Sequence, residues 1–349
     1  MFNITRRRHI HRAPIRGQCQ RDYLYGKDPG LEGLLSRLEG RAADSIRRSI
    51  SKRAIAEQDV PAIVSFVATL WGRTPVAGAL ADANATHLVQ SIARSHPSIA
   101  PEDFAAVSEM RARHESPVQF SLSVSSSLGH VLLDLSFVLL NNESSIEFIA
   151  SDAPIVFHNQ WCEGITEMGV TGFASRGLQC VLPFGKRHAL LAYDSDVYAR
   201  TNGRPGEQAV TRNEDVDQIN GLQLLVAHEN LYYSGDPATG DSIDRLSFGR
   251  HRPPHERVGV HRAVSADNPR SALIHLYPRP HPVRLDLSFL KVRKAWRSTA
   301  LTDRSQQYRD RALALDSAVR GEPERPALPS ANGPWHIVDE RTGQPRRRS

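Results

Sequence analysis

Four side chains make the strongest case for chemistry in this 349-residue chain: Asp152, the Ser151 before it, Glu39 and Arg73. Asp152 lies in Glu147-Phe148-Ile149-Ala150-Ser151-Asp152-Ala153-Pro154, where a strand-like apolar run ends in a Ser-Asp pair followed by proline. Pro154 fixes its own φ and pushes Ala153 toward extended backbone, so the carboxylate should be presented from a stiff turn. With Glu39 it would bind a divalent metal or activate water, and Arg73 would clamp a phosphate or carboxylate group. The expected chemistry is hydrolysis of a phosphate-containing or nucleic-acid substrate, with Ser151 at the same site. The same residues also admit a structural reading, in which Asp152 closes an Asx turn and Glu39 bridges to Arg73 between packed helices, because unpaired burial of either charge is costly. The chain would then be a non-enzymatic interaction or regulatory module. Glu32, two turns before Glu39 and so about 11 Å away, is too distant for a shared-proton pair.

Other chemistries have weaker patterns. His251 and His255 are four apart, but the two prolines between them preclude the regular helix that would place both imidazoles on one side. The serines at 121, 123 and 125–127 lack the Gly-x-Ser-x-Gly context of a nucleophile elbow, and there is neither a Walker A loop nor a dinucleotide fingerprint. Three cysteines, Cys19, Cys162 and Cys180, have no close metal-ligand spacing and fit a reducing cytoplasm.

Positioning the four residues requires helices first and a sheet second. Leu31, Leu34, Leu35, Leu38, Ala42, Ile46 and Ile50 recur at three- and four-residue steps, which predicts an amphipathic helix opened by Asp28-Pro29 and carrying Glu39. A second helix starts at Asp59-Val60-Pro61 and ends near Arg73, because Pro75 disfavours helical geometry at Thr74. A third covers roughly 76–95, a fourth opens at Ala100-Pro101-Glu102-Asp103, and Leu128, Leu132, Leu135 and Leu139 predict another, leading into a strand at 146–150. Beyond it, short apolar runs at 155–157, 179–182 and 189–193 read as strands of one mixed or antiparallel sheet. Asn213 is expected to cap the last clear helix, with Val216, Ile219, Leu222, Val226 and Ala227. The predicted fold is α+β: a single domain over 1–285, helical at 28–141, sheet-containing at 146–235 and irregular at 236–285. Residues 286–349 are expected to be a largely disordered basic tail, with Trp335 and Ile337 able to dock locally.

The formal net charge is +6, but residues 1–28 carry seven Lys/Arg against two acids, and residues 291–349 carry thirteen against seven. The cationic ends point to weak, non-specific contact with nucleic acid rather than to a shaped groove. Arg6, Arg7 and Arg8 are followed by no apolar run, and the most apolar segment, Val131 to Leu140, is short and interrupted by Asp134 and Ser136. Neither a signal peptide nor a membrane span is expected.

The order of motifs resembles the bacterial domain-of-unknown-function 4238 family over about residues 15–235. The resemblance rests on Tyr23-Leu24-Tyr25-Gly26-Lys27-Asp28 leading to Leu38-Glu39-Gly40, on Arg73-Thr74-Pro75, and on Phe148 to Pro154. Leu182-Pro183 and Ile219-Asn220 with Ala227 complete it. Ala150 stands where the family usually has Thr, and Ala153 where Asn is frequent. The family's His-Tyr-Val-Pro-Gln-like opening has no counterpart, and His9 and His11 are not at a matching position. Phe2, Ile4 and Ile10 read as one arm of a hairpin lacking its preceding strand, so the gene is expected to continue in frame upstream of Met1.

Overall fold

The computed structural model describes residues 1–11, 13, 29–96, 98–112, 116–165, 169–249, 258–265, 272–279, 283–296, 304 and 335–337. The Tyr23–Asp28 motif, Cys19, His251, His255 and His281 lie outside them.

A short hairpin, β1 (Phe2–Asn3) and β2 (Arg8–His9), precedes the helical half. Helix α1 (Pro29–Lys52) buries Leu35 and Ala42 of the expected stripe together with Ser45 and Ser49, whereas Leu34, expected in the stripe, is exposed. Helix α2 (Val60–Gly72) buries Ile63, Val64, Val67 and Ala68 and stops where expected, since Thr74 is extended at φ −73°, ψ 150°. The Thr74 hydroxyl accepts the Ala77 N–H at 3.2 Å and caps α3 (Pro75–Ser95). A short α4 (Phe104–Glu109) follows, then α5 (Pro117–Leu128), which crosses α2 so closely that a Cβ on Gly72 would lie 2.9 Å from the Leu122 Cα.

The helix expected across Leu128–Leu139 is not continuous. After one stretch of 3-10 helix (Gly129–Asp134) the chain becomes β3 (Ser136–Asn142). β3 is a central strand: Val138 and Leu140 face one core, and Leu139 faces the other. Burial on both faces gives a continuous apolar run, which sequence periodicity cannot distinguish from a buried helix.

Strand β4 (Ala150–Ser151) is followed by β5 (Val156–His158), β6 (Gln179–Gly185), β7 (His188–Tyr193), β8 (Tyr198–Arg200) and β9 (Glu207–Val210). The five-stranded sheet has the order β5-β6-β7-β3-β9, antiparallel except for the parallel β3–β9 pair. Helix α2 covers one face, and α6 (Asn213–Val226), through Val216, Ile219 and Leu222, covers the other. Arg212, not Asn213, is the residue preceding α6; the Asn213 side chain bonds Ser145 instead.

A second sheet, all antiparallel, has the order β2-β1-β10-β4, with β10 at Asn230–Tyr232. β1 is therefore paired on both sides, by β2 and by β10, and is not the unpaired edge expected from sequence. The stretch 236–285 is more regular than expected: it contains α7 (Pro237–Gly249) and the antiparallel pair β11 (Val258–Ser265) and β12 (Ala272–Pro278).

The folded core also extends past residue 285. Leu285, Leu287, Phe289 and Leu290 are buried against the α6 side of the main sheet, and β13 (Leu290–Val292) pairs with β8. Strand β14 (Trp335–Ile337) pairs with β11. Arg304, only 4% exposed, is held by several groups at once. Its Nε donates to both Asp134 carboxylate oxygens at 3.0 Å, and its Nη atoms donate to the carbonyls of Val131, Phe173 and Ser175. Among the described residues no single helix is long and apolar enough to cross a membrane.

Candidate functional site

Of the strand expected at 146–150 and the turn that follows it, only Ala150–Ser151 forms a β ladder. Many of the segment's other backbone groups bond side chains, mostly from α6. Asn220 accepts the Ile149 N–H at 3.0 Å and donates to the Glu147 carbonyl at 2.8 Å. One turn later, Gln223 accepts the Ser151 N–H at 3.1 Å and donates to the Pro154 carbonyl at 2.8 Å. Each carboxamide thus imitates a neighbouring strand, with one acceptor and one donor facing the backbone. Thr239 of α7 accepts the Glu147 N–H at 2.9 Å, and the Lys186 carbonyl accepts that of Phe148 at 2.9 Å. Buried backbone groups that lack a strand partner need such replacements.

Ser151 is buried, and its hydroxyl donates to Gln223 Oε1 at 2.9 Å and accepts the Ala153 N–H at 3.3 Å. Asp152 reaches the turn after α6. Its Oδ1 accepts the His228 N–H at 2.6 Å, and its Oδ2 accepts those of Glu229 at 2.7 Å and Asn230 at 3.0 Å. Three backbone donors converge on one carboxylate, which fixes the loop between α6 and β10.

Glu39 and Arg73 meet as the spacing suggested: Arg73 Nη1 donates to Glu39 Oε1 at 2.6 Å and ties α1 to α2. The Arg73 side chain is 17% exposed and that of Glu39 is 44% exposed. Chain neighbours of Arg73 and of Asp152 line one small cavity of about 50 Å³, to which Trp71, Thr74, Val76, Ala153, Ile155 and Arg279 contribute. The lining is mainly apolar, and the charged groups of Glu39, Arg73 and Asp152 are not part of it.

Among the described residues no group of three or more His, Cys, Asp or Glu side chains could hold a metal ion. Cys162 and Cys180 are free and buried, and burial pushes the Cys162 thiol up to about 12 and that of Cys180 higher still, so both stay protonated.

One cluster escaped sequence reasoning. His9 Nδ1 lies 2.6 Å from the Tyr233 hydroxyl, and His9 Nε2 lies 3.0 Å from Asp244 Oδ1. A neutral ring with its proton on Nε2 donates to Asp244 and accepts the Tyr233 O–H. Burial first, and Asp244 second, raise the Tyr233 pKa above its ordinary value, so the hydroxyl remains a donor. The cluster joins β2, the end of β10 and α7, three elements no local pattern links; His9 is 224 residues from Tyr233.

The other half of the sequence signature is thus visible as a scaffold. Asn220 and Gln223 hold 147–154 to α6, Asp152 holds the turn into β10, and β10 seats the β1–β2 hairpin. No curated protein and no solved structure matches the chain. A family model described as "protein of unknown function (DUF4238)" matches residues 1–236. The chain belongs to the domain-of-unknown-function 4238 family.

Proposed function

We propose that this chain works by binding, as a non-catalytic interaction module whose signature polar residues build the scaffold. The observation that carries this reading is the Asp152 carboxylate, both of whose oxygens accept backbone N–H groups of residues 228–230. Oδ2 has both lone pairs occupied by the N–H groups of Glu229 and Asn230, so of the carboxylate only the second lone pair of Oδ1 is left for a metal or a water, and the group's main work is to hold the turn. Ser151 is likewise committed, and the Glu39–Arg73 pair satisfies two charges across a helix junction. The free thiols of Cys162 and Cys180 fit a reducing compartment such as the cytoplasm.

Asp152→Asn separates this reading from a hydrolase acting on a phosphate-containing or nucleic-acid substrate. The amide preserves shape but places an NH₂ donor against backbone donors, so unfolding stability should fall by about 2–3 kcal/mol. A variant that keeps its stability but loses a hydrolytic activity present in the wild type would contradict the proposal.

A further inference from the structure

The β1–β2 hairpin turn presents three consecutive arginines, Arg6, Arg7 and Arg8, all exposed. No salt bridge among the described residues engages any of them. Arg7 has φ +46°, in the left-handed region. Glycine or asparagine fills such a turn position with little strain, whereas other side chains there cost of order 1–3 kcal/mol. The Arg7 guanidinium carbon lies 5.6 Å from the centroid of the Phe248 ring. Phe248, in the last turn of α7, is 76% exposed, the most exposed large apolar side chain among the described residues.

This surface is rigidly backed. On the inner side of α7, Ile243 and Leu246 pack in one cluster with Phe2. His9 ties the hairpin to Asp244 and Tyr233. The Arg6 N–H donates to Asn3 Oδ1 at 2.9 Å, which shapes the turn. The Arg7 guanidinium and the open Phe248 ring are therefore set side by side on a fixed backbone before any ligand arrives, which lowers the ordering cost of binding.

We infer that the hairpin tip and the end of α7 form a binding surface for single-stranded nucleic acid. The arginines would contact successive phosphates, and one unstacked base would lie on the Phe248 ring, with Arg7 adding a planar cation. A duplex offers the phosphates but keeps its bases stacked, so Phe248 would gain little from it. An anionic membrane suits the surface less, since one phenylalanine beside three arginines buries too little apolar area for stable anchoring. The inference rests on reading the chain as a binding module and names its partner.

The test uses the full chain and fluorescence anisotropy with a labelled twelve-nucleotide single strand, as DNA and as RNA, and the matching duplex. The single strand should bind more tightly than the duplex. Phe248→Ala should weaken single-strand binding about tenfold with little change for the duplex, the size expected for one stacked base. Arg6→Ala with Arg8→Ala should reduce the slope of log affinity against log salt by roughly one to two. Thermal unfolding should be unchanged in both variants, because these side chains are exposed. No single-strand binding, equal binding after Phe248→Ala, or binding to phosphatidylserine vesicles without binding to oligonucleotide would overturn the inference. A denaturing gel of the same samples keeps the two claims apart: cleavage of the strand would overturn the non-catalytic reading while leaving this surface in place.

Discussion

Asp152 and Asn230 bind each other twice. The Asp152 N–H donates to the Asn230 carbonyl at 3.1 Å, and the Asn230 N–H donates to Asp152 Oδ2 at 3.0 Å. A ligand that recruited this carboxylate oxygen would compete with the start of β10, and with it the platform that seats the β1–β2 hairpin. The link makes Asp152 a positioning residue for the second sheet.

Asn220→Asp should be among the most damaging changes to the scaffold. Asn220 is fully buried, and its amide donates to the Glu147 carbonyl. Aspartate would place an acceptor against that carbonyl and bury a charge, at a cost of about 3 kcal/mol or more at neutral pH. Urea unfolding at pH 7 and pH 5 checks this: the loss should shrink at pH 5 as the raised carboxyl pKa lets a proton restore the donor. A loss below 1 kcal/mol would contradict the carboxamide's role.

Glu39→Gln should do far less, despite the prominence of Glu39 in the sequence. Its pair with Arg73 is partly solvated, and exposed ion pairs contribute about 0–1 kcal/mol. Equilibrium unfolding should therefore shift by less than 1 kcal/mol. A loss of several kcal/mol would mean that the pair is a true internal lock.

Arg304 lies beyond the family-matched residues 1–236, yet its guanidinium is held by Asp134 and three backbone carbonyls. Arg304→Ala should cost about 3–5 kcal/mol, because Asp134 and three carbonyls lose their donors together. Arg304→Lys should not restore the loss, since one ammonium group cannot reproduce the guanidinium fork. Full rescue by lysine in thermal unfolding would contradict this geometry.

His188 supplies a pH dependence. Burial first, and the charge of Arg53 second, lower its pKa below the ordinary 6.5, so the folded state favours the neutral ring. The unfolded chain then binds more protons in the window between the two pKa values. This contribution is fully present above about pH 6.5 and is lost as pH falls below it toward the folded value. An NMR titration should place the His188 midpoint below 6.5, and Arg53→Gln should move it upward. A midpoint above 6.5 would reverse the sign.

The parts of the fold that follow local rules were legible in the sequence. Helix α1 shows its stripe through Leu35 and Ala42, α2 ends where Pro75 forces Thr74 into extended backbone, and the Glu39–Arg73 pair follows from the helix flanks. What stayed hidden depends on distant partners. Segment 147–149 reads as a strand because it is extended and apolar, but its partners are side chains of α6 and α7 some seventy to ninety residues away. The Leu128–Leu139 spacing is compatible with a helix, and only the neighbouring strands β7 and β9 make its second half β3. The Leu285, Leu287, Phe289 alternation straddles the start of a polar, basic stretch whose overall composition is that of a disordered tail, yet all three are buried. The Ser-Asp-Ala-Pro spacing suggests a carboxylate held in its own turn, whereas its targets, the N–H groups of residues 228–230, are 76 to 78 residues away and are set by tertiary structure alone.

Amide hydrogen exchange at residues 229 and 230 tests the scaffold role of Asp152 most directly, by comparing the wild type with Asp152→Asn. In the wild type both N–H groups should be as protected as that of Leu231 within β10, since the carboxylate bonds hold them. In the variant, exchange at 229 and 230 should quicken roughly ten- to a hundredfold, the loss expected for charge-assisted hydrogen bonds, while the N–H groups of β3 and β7 change less. Identical exchange at 229 and 230 in the two proteins would show that Asp152 does not hold the turn, and would contradict the account.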